Sequence, residues 1–177
     1  MYRLTIKDIL EATGGVLLCG DENTEIKDVC INSKEIKPGD LFVPIIGERV
    51  DAHRFIESAL HTGAATLTSQ HTDIVVSEKP FVYVSDTEKA LQDIGAYVRR
   101  KFKKPVIGVT GSVGKTTTRQ MIATVLSGCL NVYQTEGNLN SQIGVPLTFA
   151  GLMRTLRQPC LRWVSVNRDR WRFCLTW

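Results

Sequence analysis

The stretch Val106–Leu126, VIGVTGSVGKTTTRQMIATVL, decides how the chain is read. Val106–Val109 is a short apolar run of the kind that forms a buried strand. Two glycines follow, then Lys115-Thr116, which opens an apolar helical pattern. The strict phosphate-loop spacing, G-x-x-x-x-G-K-[ST], needs glycine at position 109. The chain has Val109 there, with Gly108 one place early, so the match is to the shorter form Gly111-x-x-Gly114-Lys115-Thr116. The physics does not depend on the missing glycine. Gly111 and Gly114 let the backbone bend so that N–H groups, those of Ser112 and Val113 among them, turn toward one anion. The helix that begins near Lys115 adds the positive end of its dipole. Lys115 is the expected catalytic cation, reaching the β- and γ-phosphates, while the Thr116 hydroxyl is the expected Mg²⁺ ligand and Thr117 follows it in the first turn. An ordinary glycine turn is the alternative. Strand, loop, Gly-Lys-Thr-Thr and helix together favour a site for ATP.

Upstream, strands and helices alternate, the pattern of α/β architecture. Thr5 and Asp8 are spaced as a capping box for a short helix with Ile6, Ile9 and Leu10 on one face, which Gly14-Gly15 ends. Strands are expected at Val16–Leu18, Ile26–Ile31 and LFVPI, the last after the turn KPGD at Lys37–Asp40. Ala52–His61 reads as an amphipathic helix with Phe55, Ile56, Ala59 and Leu60 inward. AATLTS and FVYVS read as two more strands, and Asp86 caps a longer helix, Thr87 to about Phe102. Lys103–Pro105 is the expected boundary. The first α/β domain is then 1–102, and 103–153 begins a doubly wound nucleotide domain.

Composition excludes several classes. The chain has 177 residues, 43% hydrophobic and 23% charged, with no apolar run long enough to span a membrane and no secretory signal at its start. Cytoplasmic location, no membrane and a monomer are the expectations. The five cysteines show neither C-x-x-C pairing nor matching histidine spacing, so they read as incidental thiols. The net charge of +4 could suggest nucleic acid, but the tail from Arg154 holds six arginines against Asp169 alone, and the earlier chain is near neutral. No nucleic-acid partner is expected.

Two flanking segments carry the rest. Downstream, TEGNLNSQIGVPLTF sets Asn138 and Asn140 on either side of Leu139, so both amides could face one side of an extended segment. Upstream, Ser33 and Lys34 fall where a strand gives way to a turn, and Gly47 and Arg49 fall in the loop after the next strand. Such loops suit a second anionic ligand, though plain turn chemistry explains them equally well.

With these residues in place, the chain resembles the Mur ligases of bacterial cell-wall synthesis, from near its start to about Phe149. The pattern Ser-Lys…Ile-x-Pro-Gly-Asp-Leu-Phe-Val…Gly-x-Arg-x-Asp-x-His-x-Phe-Ile is similar to the family's UDP-binding domain, and TGSVGKTT to its ATP loop. GNLNSQIGVPLT most resembles the MurF branch, which joins D-alanyl-D-alanine to UDP-N-acetylmuramoyl-tripeptide. The resemblance implies ATP-dependent amide ligation through an acyl phosphate. It puts Asn138 with the ATP residues, and Ser33, Lys34, Gly47, Arg49 and Asn140 with the substrate residues. The family usually has Asp-Ser-Arg or Asp-Thr-Arg where this chain has Asn32-Ser33-Lys34; lysine keeps the charge but not the planar fork. The alternatives are a folylpolyglutamate- or cyanophycin-type ligase of the same superfamily, and a UDP-sugar-binding module without catalysis.

The tail 154–177 has a different character. All three tryptophans lie in it, and RWVSVNRDRWRFCLTW shows no clear period. Back-translated with permitted codons, each third base opening the next codon, the tail from Arg154 can read EDTEAAVLEMGISEPGQMEILSDM. That resembles the family's next strand and loop, with its Glu-Met-Gly, whose glutamate helps hold Mg²⁺. The expectation is a tail out of frame and a chain that does not ligate by itself.

Overall fold

In a computed structural model, the structure describes residues 4–47, 49–70, 78–102, 105–135, 141–151 and 160–165. By contacts it divides into two units, Tyr2–Ile94 and Gly95–Trp177, with the division inside one helix, Thr87–Lys101.

The first unit begins with β1 (Leu4–Thr5) and α1 (Ile6–Thr13). Both halves of the capping box form: the Asp8 carboxylate accepts from the Thr5 N–H at 2.9 Å, and Thr5 Oγ1 accepts from the Asp8 N–H at 3.4 Å. Ile6 and Ile9 are fully buried, and Gly14 closes the helix in the left-handed region. Then come β2 (Val16–Cys19), β3 (Glu25–Ile26), β4 (Asp28–Cys30) and β5 (Asp40–Phe42). The single strand expected over Ile26–Ile31 is therefore two. Glu25 and Ile26 pair with β1, the Lys27 N–H turns to the Gly39 carbonyl, and the chain enters a different sheet at Asp28. The strand read as LFVPI stops at Phe42. Val43 extends the hydrogen bonding by one residue, to the Cys30 carbonyl, and Pro44 has no N–H to continue it.

The expected helix after Asp51 starts as a 3₁₀ turn, Ala52–Phe55, and becomes α2 at Ile56–Thr62. Next follow β6 (Ala65–Thr68), β7 (Phe81–Tyr83) and α3 (Thr87–Lys101). Asp86 caps α3 by accepting from the Glu88 and Lys89 N–H groups. The Lys79 ammonium closes the other end of α2, donating to the carbonyls of Leu60, His61 and Gly63.

The main sheet runs β2-β7-β6-β5-β4. β4, β5, β6 and β7 are parallel, and β2 is an antiparallel edge. Phe42, Phe81, Ile56 and Ala59 form a core cluster, with Leu18, Ile36, Phe55 and Leu60 packed on it. β5 and β6 are buried at every position, as strands covered on both faces are, and their polar residues are hydrogen-bonded: Asp40 accepts from the Lys37 N–H and the Thr66 hydroxyl donates to the Phe42 carbonyl. The four parallel strands end on the same sheet edge, where open α/β sheets bind ligands.

The second unit holds β8 (Val106–Val109), α4 (Lys115–Ser127), β9 (Asn131–Gln134), α5 (Gly144–Ala150) and β10 (Cys160–Ser165). Its sheet is parallel, in the order β8-β10-β9. Within the tail, Cys160–Ser165 is thus the central strand of this sheet.

Candidate functional site

The residues expected to meet anions fall in two places in the chain. In the second unit, β8 delivers the backbone to the glycine loop and α4 leaves it. Gly111 (φ 150°) and Gly114 (φ 80°) both take conformations that side-chain-bearing residues avoid. Gly114 is the N-cap of α4, with no side-chain cap and no acidic residue in the first turn. The first helical bond runs from the Thr118 N–H to the Gly114 carbonyl, 2.8 Å. The amides of Lys115, Thr116 and Thr117 therefore precede the helical ladder and keep donors for an anion. Lys115 folds back over the loop, its Nζ donating to the Gly111 carbonyl at 2.5 Å and the Ser112 carbonyl at 3.4 Å. Ser112, Val113, Thr116 and Thr117 are exposed, Val113 at 89%. An uncapped, exposed helix start with a lysine over it fits a triphosphate. For a metal, Thr116 offers one hydroxyl, and among the described residues no group of three His, Cys, Asp or Glu could hold an ion. Asn138 and Asn140 lie outside the described residues.

In the first unit, the loops leaving β4 and β5 carry the other expected residues. After β4, the Asn32 side chain shapes a turn: its Oδ1 accepts from the Lys34 N–H at 3.1 Å and its Nδ2 donates to Glu35 at 2.8 Å. Ser33 is half-buried and Lys34 exposed. Cys30 precedes this turn and donates its Sγ–H to the Asn32 carbonyl. Burial pushes its thiol pKa up, against that bond, with Asp40, Glu35 and Asp28 adding to the rise. It stays a neutral thiol. After β5, Ile46 pairs with Asp51, Gly47 donates to the Val50 carbonyl at 3.0 Å, and Ala52 donates to the Ile45 carbonyl at 3.2 Å. Gly47 and Arg49 are thus exposed on one small loop at the same sheet edge as Ser33 and Lys34.

A third cluster at this edge contains Asp51 and His53, which the family-like pattern includes but to which the sequence reading gave no role. The Asp51 carboxylate accepts from the His53 N–H at 2.9 Å and from the His53 ring at Nδ1, 2.6 Å. Those two bonds, the backbone one foremost, hold the Asp51 pKa below the ordinary carboxylate range, together with Gln70. The other ring nitrogen, Nε2, lies 3.1 Å from both the N–H and the hydroxyl of Ser69, just past β6. The only signal in the sequence is the Asp-x-His spacing, and Ser69 lies sixteen residues on.

Comparison with known proteins identifies the family. A model of the Mur ligase family catalytic domain matches residues 25–100, and a model of the Mur ligase middle domain matches residues 109–158. The chain belongs to the Mur ligase family. Among Mur ligases it is 43% identical to the UDP-N-acetylmuramoyl-tripeptide--D-alanyl-D-alanine ligase of Synechocystis, over 74% of this chain and 29% of that protein. The Escherichia coli protein of the same name is 38% identical over 86% of this chain and 33% of its own. The crystal structure of MurF from Acinetobacter baumannii covers 96% of this chain and 37% of its own, at a TM-score of 0.81 and 31% identity. MurF from Thermotoga maritima, solved in complex with ADP, superposes at a TM-score of 0.67 and 32% identity over 81% of this chain and 33% of its own. The chain therefore spans about a third of the length of the Mur ligases it matches.

Proposed function

We propose that this chain supplies the sugar-nucleotide and ATP sites of a MurF-type ligase, which joins D-alanyl-D-alanine to UDP-N-acetylmuramoyl-tripeptide. The observation that carries the reading is the uncapped start of α4 beneath Lys115. The relatives' shared name gives the chemistry and their ADP complex the nucleotide.

In this reading the substrate carboxylate attacks the γ-phosphate and expels ADP, an acyl phosphate forms, and the dipeptide amine, losing a proton, displaces inorganic phosphate to leave the amide. Phosphoryl transfer of this kind is mostly positioning and charge neutralisation. Lys115 releases the Gly111 and Ser112 carbonyls and turns its ammonium onto the β- and γ-phosphates. The amides of Ser112 to Thr117 hold the phosphate oxygens. Mg²⁺, when bound, neutralises phosphate charge, with the Thr116 hydroxyl as its ligand from this segment. Asn138 serves the nucleotide and Asn140 the acyl group. In the first unit, Ser33, Lys34, Gly47 and Arg49 take the diphosphate and sugar.

The test is calorimetric titration with ATP·Mg²⁺ and, separately, with UDP-N-acetylmuramoyl-tripeptide, followed by a coupled phosphate-release assay with D-alanyl-D-alanine added. Saturable binding of both ligands supports the reading. Uptake of the UDP-sugar alone would replace it with a binding module, and uptake of neither would end it.

A further inference from the structure

Asp51, His53 and Ser69 have the spacing of a charge-relay triad, yet the hydrogen bonding argues against a nucleophile. Asp51 takes the proton side of the ring at Nδ1, so Nε2 presents its lone pair. The Ser69 N–H, which can only donate, points at that lone pair from 3.1 Å. The hydroxyl at the same distance must compete with its own amide for one acceptor site. The His53 side chain is also 1% exposed, out of reach of a substrate. The arrangement is a tie rather than a relay.

What it ties is specific. Asp51 pairs with Ile46 and so closes the loop that carries Gly47 and Arg49. Ser69 follows β6, the strand beside β5 in the sheet. We propose that His53 is a positioning residue for the sugar-nucleotide site. Held by Asp51 on one side and the Ser69 amide on the other, it fixes the Gly47–Arg49 loop against the end of β6. The loop then meets its anionic ligand already in place, and the ligand pays less ordering cost on binding. This rests on the reading that the first unit binds a UDP-sugar.

Two measurements separate the proposal from that reading. The first needs no ligand. In His53→Phe, amide exchange at Gly47 and Ala52 should speed up by about tenfold or more, while exchange at Val43, on the sheet itself, stays as in the parent. His53→Gln, whose amide oxygen reaches the Nε2 position and can accept from Ser69, should restore most of the protection. Unchanged exchange at Gly47 in His53→Phe, or equal acceleration at Val43, overturns the proposal whatever the chain binds. The second is titration with UDP-N-acetylmuramoyl-tripeptide. His53→Phe should bind about tenfold or more weaker, His53→Gln within about threefold of the parent, and ATP binding should be equal in all three. Ser69→Ala keeps its amide and should bind as the parent does. Full-strength binding by His53→Phe, or equal losses in the Gln and Phe variants, overturns the proposal. If the parent itself takes up no UDP-sugar, the reading of the site falls, and with it the claim that the tie serves a sugar nucleotide.

Discussion

Lys115 bonds to its own loop through the Gly111 and Ser112 carbonyls. The same ammonium therefore has two tasks: holding the loop's shape and neutralising the nucleotide. Lys115→Met keeps the length of the side chain and removes both. We expect ATP affinity to fall by roughly 10²-fold, since a charge-assisted bond contributes about 1.5–3 kcal/mol, while UDP-sugar binding is unchanged; paired titrations measure it. Asp51 is a second case in which one group sets a loop. Its pKa is lowered in the folded chain, chiefly by the His53 N–H. A lowered carboxyl pKa adds stability that is fully present above the unfolded value of about 4 and is lost as pH falls through the folded value. Urea unfolding from pH 6 downward should show a flat stretch and then a decline below about pH 4, and Asp51→Asn should lessen that decline. A difference between parent and variant that grows from pH 5 to 8 would have the wrong sign.

At the scale of elements, what was legible follows from how local the cause is. The capping box of α1, its buried Ile6 and Ile9, and the Asp86 cap of α3 depend on residues within one helical turn, and all three are formed. Asp8→Ala removes the reciprocal half of the box and should cost about 1 kcal/mol in denaturant melts. The Lys115–Thr116 loop was legible for the same reason: strand, glycines and helix are consecutive. What sequence hid depends on partners far along the chain. The split between β3 and β4 is set by β1 and β5. The tie of His53 to Ser69 is set by the pairing of β5 with β6. Gly95 is another such case. In the middle of a helix, glycine costs roughly 1 kcal/mol relative to alanine on propensity alone, so Gly95→Ala looks stabilising from sequence. The structure reverses the sign. A Cβ there would lie 2.8 Å from Pro146 Cα and 3.0 Å from its carbonyl oxygen, both backbone atoms of α5 that cannot swing away. We expect Gly95→Ala to destabilise by about 1–3 kcal/mol, read as a fall in melting temperature.

For the whole molecule the open matter is the tail. Its one described segment, Cys160–Ser165, sits between β8 and β9, with Trp163 in register with Ile107 on one side and Gln134 on the other. A central parallel strand in an α/β sheet is covered on both faces, and such strands are near-continuous in Val, Ile and Leu. CLRWVS departs from that pattern as a sequence, with an arginine and a tryptophan at its middle. The shifted reading supplies VLEMGI over the same six positions, apolar apart from a glutamate at position 162 in place of the arginine. The middle-domain model matches only to residue 158, short of this strand. The sheet holds a strand at these positions, and we propose that the shifted frame encodes its native sequence. We expect the encoding DNA, read one base over from about codon 154, to continue as Mur ligase sequence without a stop. A chain rebuilt in that frame should melt higher than the present one and bind ATP·Mg²⁺ more tightly. DNA that yields no such sequence in the shifted frame would show instead that CLRWVS is the native strand, and Arg162→Val should then destabilise the sheet rather than improve it.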